Sequence, residues 1–226
     1  MKSRLSKVKK WLPGLFPETY QNAVFIWIPK TAGTSVFTSL QDANCEIFKT
    51  KETIESDFPN EGVVTFGHVH YPLIKKANLV SDEFDRGSWK FCFCRNPYDR
   101  FLSLHSYLQK YDVVPTSTTF EDFCRQVGRD GCPPVGLYNQ LGISQCNPQT
   151  HWLEGVDIDF IGRFENIGRD LRFVRKNLGL KSSAPPHMNK SHRPALAEGY
   201  TQETADIIYD FYRDDFDVFG YERMTF

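Results

Sequence analysis

Four short runs in this chain are apolar on both faces: Ala23–Ile28, Val63–Phe66, Trp89–Cys94 and Ile158–Ile161. A strand with one wet face alternates apolar and polar residues, and these do not. Each therefore needs cover on both sides, and the stretches between them carry apolar residues at helical spacing. The pattern predicts an α/β protein, a doubly wound parallel sheet flanked by helices. In "WKFCFC", alternation sends Cys92 and Cys94 to one face and Phe91 and Phe93 to the other. The 226 residues suit one domain, assigned to 23–226, after a basic N-terminal segment over 1–22.

Helix signals fill the gaps. Thr34–Gln41 follows the first run directly. Pro97–Tyr111 has Asn96 as cap and Pro97 at its first position, with Phe101, Leu104, Leu108 and Tyr111 on one face. Phe120–Val127 is amphipathic. Ile167–Leu178 begins after Asn166 and stops at Gly179. Thr201–Phe216 reads as one long amphipathic helix.

Two loops carry chemistry. In "IPKTAGTS" the backbone leaves a buried strand and enters a helix, where unpaired N–H groups and the helix dipole favour an anion. Gly33 is expected to permit an unusual turn, Thr31, Thr34 and Ser35 to add hydroxyls, and Lys30 a mobile positive charge. A Walker loop places its Lys after the glycines and seats magnesium; here Lys30 comes first. In "FCFCRNPYDRFLSLHSYL" the strand ends in Arg95, a fork of donors suited to phosphate, beside the alternative of an ion pair with Asp99. Ser103 lies two turns beyond Asn96 on the same helix face, so Arg95 and Ser103 can converge on one phosphate.

These two loops resemble the nucleotide-binding elements of sulfotransferases that use 3′-phosphoadenosine 5′-phosphosulfate. The likeness is to the carbohydrate enzymes of the heparan 2-O and chondroitin 4-O type and their bacterial relatives. It extends to "DFIGRFENI", "PHMNKS" and "YRDDFDVFGY", and so spans most of Val24 to Tyr221. The resemblance implies the P-loop-like sheet of the sulfotransferase type, with that nucleotide as donor cosubstrate and no metal. It implies that Lys30, Thr31, Ala32, Gly33, Thr34 and Ser35 hold the 5′-phosphosulfate, and that Arg95 and Ser103 hold the 3′-phosphate. By the same likeness, Lys190, Ser191 and Arg193 close over the 3′-phosphate. The acceptor it implies is a carbohydrate or other hydroxyl compound.

The acceptor must lose a proton as it attacks sulfur. "VVTFGHVHYP" puts His68 and His70 past a strand end, after a Gly67 that allows a sharp turn. His68 matches the "GHV" segment that supplies a base in the heparan 2-O enzymes; His70 is the reserve, or an acceptor contact, and Glu165 stands behind both. With an ordinary imidazole, activity is expected to fall below about pH 6.5. Trp152 is a candidate platform for adenine, with core packing as the alternative, and His105 is assigned to packing. Competing readings are a magnesium-dependent kinase for small hydroxyl compounds and a nucleotide-binding protein without chemistry.

A formal net charge of -1 argues against a nucleic-acid partner. The six cysteines are read as buried thiols. No run approaches the ~20 apolar residues of a membrane span, so a cytoplasmic location is expected. The basic, partly apolar tip over 1–16 is a candidate for peripheral membrane contact, beside its plainer reading as a solvated terminus.

Overall fold

The computed structural model describes residues 19–135, 141–181 and 199–226. Five strands form one parallel sheet: β1 (Ala23–Ile26), β2 (Glu46–Ile47), β3 (Val63–Thr65), β4 (Trp89–Cys94) and β5 (Phe160–Arg163), in the order β2-β3-β1-β4-β5. The predicted doubly wound class is the observed one. β5 starts two residues later than expected. Asp159 explains the delay: its backbone N–H donates to the Lys90 carbonyl and its carboxylate takes the Lys90 N–H at 2.9 Å, so the ladder begins only after it. Strand β2 was not foreseen.

Alternation decides which side chain enters which layer. Val24, Ile26, Val64, Cys92 and Cys94 pack on one face, under α2 (Lys51–Asp57), α3 (Tyr71–Lys76) and α4 (Asp82–Gly87). Ala23, Phe25, Val63, Phe91 and Phe93 pack on the other, under α1 (Gly33–Ser39) and α7 (Ile167–Asn177). The Cys/Phe split read from "WKFCFC" is thus the division between the two layers. Lys90 is also buried in β4, its charge met by Asp85 at 3.3 Å.

A third cluster joins α5 (Pro97–Lys110), α6 (Phe120–Asp130), α8 (Gln202–Phe211) and α9 (Arg213–Phe219). Asn96 caps α5 as expected, taking the Tyr98 N–H at 3.0 Å. Asn166 makes no such bond; a short 3-10 turn, Phe164–Asn166, precedes α7 instead. Tyr111 was expected among the apolar residues of α5 and is instead 57 % exposed. The expected Thr201–Phe216 helix is broken at Tyr212, whose φ and ψ are −105° and 25° and whose hydroxyl donates to the Cys146 carbonyl at 2.7 Å.

α9 carries the clamp that ties the C-terminal helices to the sheet edge. Asp215 is fully buried. Its carboxylate accepts the backbone N–H groups of Gln149 and Thr150 at 2.8 and 2.9 Å and the Thr150 hydroxyl at 3.0 Å. It thereby caps the 3-10 turn Gln149–Leu153 from a distance. Asp215→Ala leaves those buried donors without an acceptor and is expected to lower stability by about 2–4 kcal/mol in urea unfolding. An unchanged midpoint contradicts the clamp.

Candidate active site

Because the strands are parallel, the loops that leave their carboxyl ends share one edge. In sheet order these loops bring Lys49 after β2, His68 after β3, Lys30–Ser35 after β1, Arg95 after β4 and Phe164 after β5. β1 lies where the chain order reverses, the point at which open α/β sheets hold ligands. Lys30, Gly33, His68, Arg95 and Ser103 all line one open cleft of about 570 Å³ there.

The loop after β1 is strained and firmly held. Lys30 and Ala32 have φ of 67° and 69°, a left-handed region that costs a non-glycine residue about 1–2 kcal/mol. Three successive carbonyls are gripped by side chains. The Thr31 hydroxyl donates to Ile28 O at 2.9 Å, Arg100 Nε to Pro29 O at 3.0 Å, and Arg95 Nη1 to Lys30 O at 3.0 Å. The loop's acceptors are thus met from behind, while the first amides of α1 have no partner within the helix. Two expectations change here. The unusual turn falls on Lys30 and Ala32, not on Gly33. Gly33 is required for space, since a Cβ there would sit inside the Trp27 indole. The buried Thr31 hydroxyl serves the loop itself, and only Ala32, Gly33, Thr34 and Ser35 of the following residues line the cleft.

Arg95 is only 4 % exposed. Both readings of it meet in one place: Nε and Nη2 donate to the Asp99 carboxylate at 2.7 and 2.6 Å, while the group lines the cleft and stacks 4.0 Å from the Phe164 ring centre. Gln149 pins its backbone, donating to Arg95 O and accepting from Arg95 N, both at 2.9 Å. Gln149 Nε2 also donates to Asp215, at 3.2 Å, so the clamp on α9 reaches the cleft through one side chain. Ser103 and Tyr107, one turn apart on α5, face the same space. Lys30 Nζ rests 4.3 Å from the Tyr107 ring centre.

His68 is half-buried in the cleft wall, with Nδ1 2.9 Å from the Trp27 carbonyl. A Nδ1–H donated to that carbonyl puts the ring's lone pair on Nε2. Burial pushes its pKa down to about 4, the Trp27 carbonyl opposing and the cations Lys30, Lys49 and Arg100 adding to the fall. The expected loss of a neutral base near pH 6.5 therefore moves to about pH 4. Gly67 does turn sharply, with φ of 57°.

The other candidates lie elsewhere. His70 is buried at the start of α3, with Nε2 2.9 Å from the His151 carbonyl, and does not line the cleft. Trp152 is 1 % exposed, in the core beside His70, so it offers no adenine platform. Glu165 accepts the Asn96 N–H at 2.7 Å and the Tyr221 hydroxyl at 2.9 Å, which makes it a tie between loops. His105 packs on Phe123, as expected. Lys190, Ser191 and Arg193 lie outside the described residues.

Residues 15–222 match the model of the Sulfotransferase family. The chain belongs to that family. Among solved structures it resembles a sulfotransferase from Alicyclobacillus acidocaldarius, with a TM-score of 0.51 and 16% identity over 89% of this chain and 97% of that one. It also resembles mouse sulfotransferase SULT7A1 complexed with PAP, with a TM-score of 0.55 and 13% identity over 89% of this chain and 85% of that one. Identities this low speak for the fold alone. An uncharacterized protein of Archaeoglobus fulgidus is 27% identical over 113 residues, covering 50% of this chain and 85% of its own.

This sulfotransferase-family site holds residues that the motifs did not disclose. Trp27, Lys49, Tyr107 and Phe164 line the cleft, and Arg100 braces it from behind. Arg100 was legible as a neighbour in "RNPYDRF", but nothing in its spacing said that it is buried. Trp27 closes over Gly33 and meets His68 edge-on at 5.4 Å between ring centres. Gly33→Ala is therefore expected to displace the indole and with it the carbonyl that orients His68. Transfer should fall by about a hundredfold while the thermal midpoint drops only a few degrees. Full activity in that variant contradicts the Trp27–Gly33 fit.

Proposed function

We propose that the cleft transfers a sulfuryl group from 3′-phosphoadenosine 5′-phosphosulfate to a hydroxyl of a carbohydrate. One observation carries the reading: the two anion-binding loops meet across a single cleft, with a histidine beside them at the same edge. The donor set suits such a nucleotide. Lys30 and the α1 amides would hold the 5′ end, and Arg95 with Ser103 the 3′-phosphate, in a cleft within the usual range for a ligand of that size. Family membership favours sulfuryl over phosphoryl transfer.

The nucleotide, when bound, supplies the activated sulfuryl group and leaves as adenosine 3′,5′-bisphosphate. Sulfuryl transfer, like phosphoryl transfer, is mostly positioning and charge stabilisation. His68 Nε2 takes the proton of the acceptor hydroxyl as its oxygen bonds to sulfur. Lys30 meets the negative charge that develops on the departing 5′-phosphate.

Transfer of labelled sulfate to a glycan panel tests the assignment. His68→Ala should abolish turnover while bisphosphate affinity stays within about threefold. Lys30→Ala should lower the rate by about a hundredfold or more with affinity changed by less than about tenfold. A fully active His68→Ala enzyme removes the base. For the parent enzyme, the acid limb of kcat/KM should lie near pH 4, because the base works neutral and is lost only as pH falls through its depressed pKa. The limb of kcat should lie higher, since the bound donor's negative charge offsets the cations around His68. A limb of kcat/KM at 6.5 contradicts His68 as a base whose pKa is depressed in the cleft wall.

A further inference from the structure

We propose that Cys132 and Cys146 are a redox-active pair, which hydrogen peroxide closes into a disulfide that staples the strap behind the cleft. The proposal does not depend on the sulfuryl-transfer reading. Two thiols meet at one carbonyl. Cys132 Sγ lies 3.4 Å from the Cys146 carbonyl oxygen, and the Tyr212 hydroxyl, 3.6 Å from the same sulfur, donates to that oxygen at 2.7 Å. The side chains also face each other. A hydrogen bond from the Cys132 thiol leads the effects that lower the Cys146 pKa, against the opposing effect of burial, with Ser144 and Arg100 adding to the fall. Cys132 is half-buried, whereas Cys45, Cys92, Cys94, Cys124 and Cys146 are buried. An oxidant arriving from solvent therefore meets Cys132 first, with its partner already in place.

The chain on either side is in register for the bond. Ser144 Oγ donates to Pro133 O at 2.5 Å, Gln145 N to Val135 O at 2.8 Å and Val135 N to Ser144 Oγ at 3.3 Å. An S–S bond is only about 2 Å long, so the sulfurs must draw together. Cys146 is fixed: the carbonyls before and after it are the two that Arg100 grips, at 2.7 and 3.1 Å. The shift falls on Cys132, one residue past Gly131 at the end of α6. Arg100 also holds Pro29 O in the loop after β1, and Gln145 lines the cleft. A covalent tie at Cys146 thus restrains the strap, the guanidinium and that loop together.

The peroxide alone balances the step. The Cys132 sulfur attacks it; an S–O bond forms, the O–O bond breaks, and the departing oxygen leaves as water with the thiol proton. The Cys146 sulfur then bonds to the Cys132 sulfur, the S–O bond breaks, and the sulfenic oxygen leaves as a second water with the Cys146 proton. Two thiols give up two electrons and two protons, and one hydrogen peroxide is reduced to two waters.

The test exposes the folded protein to hydrogen peroxide, then alkylates it and maps its peptides. Both thiols should disappear from alkylation, a cross-linked peptide should join Cys132 to Cys146, and a dithiol should restore the pair. The bond closes a ring of about 15 residues, so the thermal midpoint should rise by about 5 °C or more. Hydrogen exchange over residues 29–35 should slow at least about threefold, because that loop opens with the strap. Cys132→Ser and Cys132→Ala, each compared before and after peroxide, should show neither change. Thiols that both stay reduced overturn the proposal, as does a bond from Cys132 to Cys124, or Cys132 carried on to a sulfinic acid with no bond. A bond that leaves the midpoint unmoved or lowers it overturns the staple, and so does a peroxide-induced rise in the two variants. Unchanged exchange over residues 29–35 overturns its reach to the loop.

Discussion

One buried guanidinium sets the shape of the site. Arg100 is 1 % exposed and donates to the carbonyls of Pro29, Gln145 and Asn147, at 3.0, 2.7 and 3.1 Å. A buried cation is costly unless its donors are fully engaged. Here each of its three nitrogens donates to a backbone carbonyl, so the side chain is locked and the backbone is locked with it. Together with Thr31 and Arg95 it holds the loop after β1 in a conformation that Lys30 and Ala32 would not adopt alone. The left-handed strain at those two residues is sustained by side chains from other elements.

The same arrangement explains the electrostatics. Lys49, Lys30 and Arg95 follow one another along one sheet edge, with Arg100 close behind. Asp99 offsets part of this charge at Arg95. The remainder favours anions, and Lys30, Lys49 and Arg100 add to the burial that holds the His68 pKa down to about 4. Binding and base strength are thereby linked in part: each negative charge brought in offsets the cations' share of the depression and leaves the larger share, from burial, in place.

Much of the fold was legible because buried parallel strands leave a strong signal. "WKFCFC" gave both layers at once, and the loops "IPKTAGTS" and "RNPYDRFLS" stood out by order and residue type. The short elements were not legible. β2 has two residues, too few for any period, and Lys49 went unnoticed because it follows that strand. The break at Tyr212 coincides with a hydroxyl bond to Cys146, a distant contact that helical spacing cannot reveal. His68 and His70 are two residues apart with similar surroundings in sequence. Only the turn at Gly67 and the start of α3 send one to the cleft and the other to the core. Trp152 and Trp27 are likewise interchangeable as letters, and the structure buries the first and lines the cleft with the second.

The central claim is that the cleft is built for a nucleotide with a 3′-phosphate, held without a metal. Calorimetric titration with adenosine 3′,5′-bisphosphate and adenosine 5′-phosphate in EDTA, and with ATP and magnesium, tests it most directly. The account predicts that the bisphosphate binds about a hundredfold or more tighter than the monophosphate, because Arg95 would contribute charge-assisted hydrogen bonds to the 3′ group. Equal affinities for the first two, or tight binding only of ATP with magnesium, would contradict it.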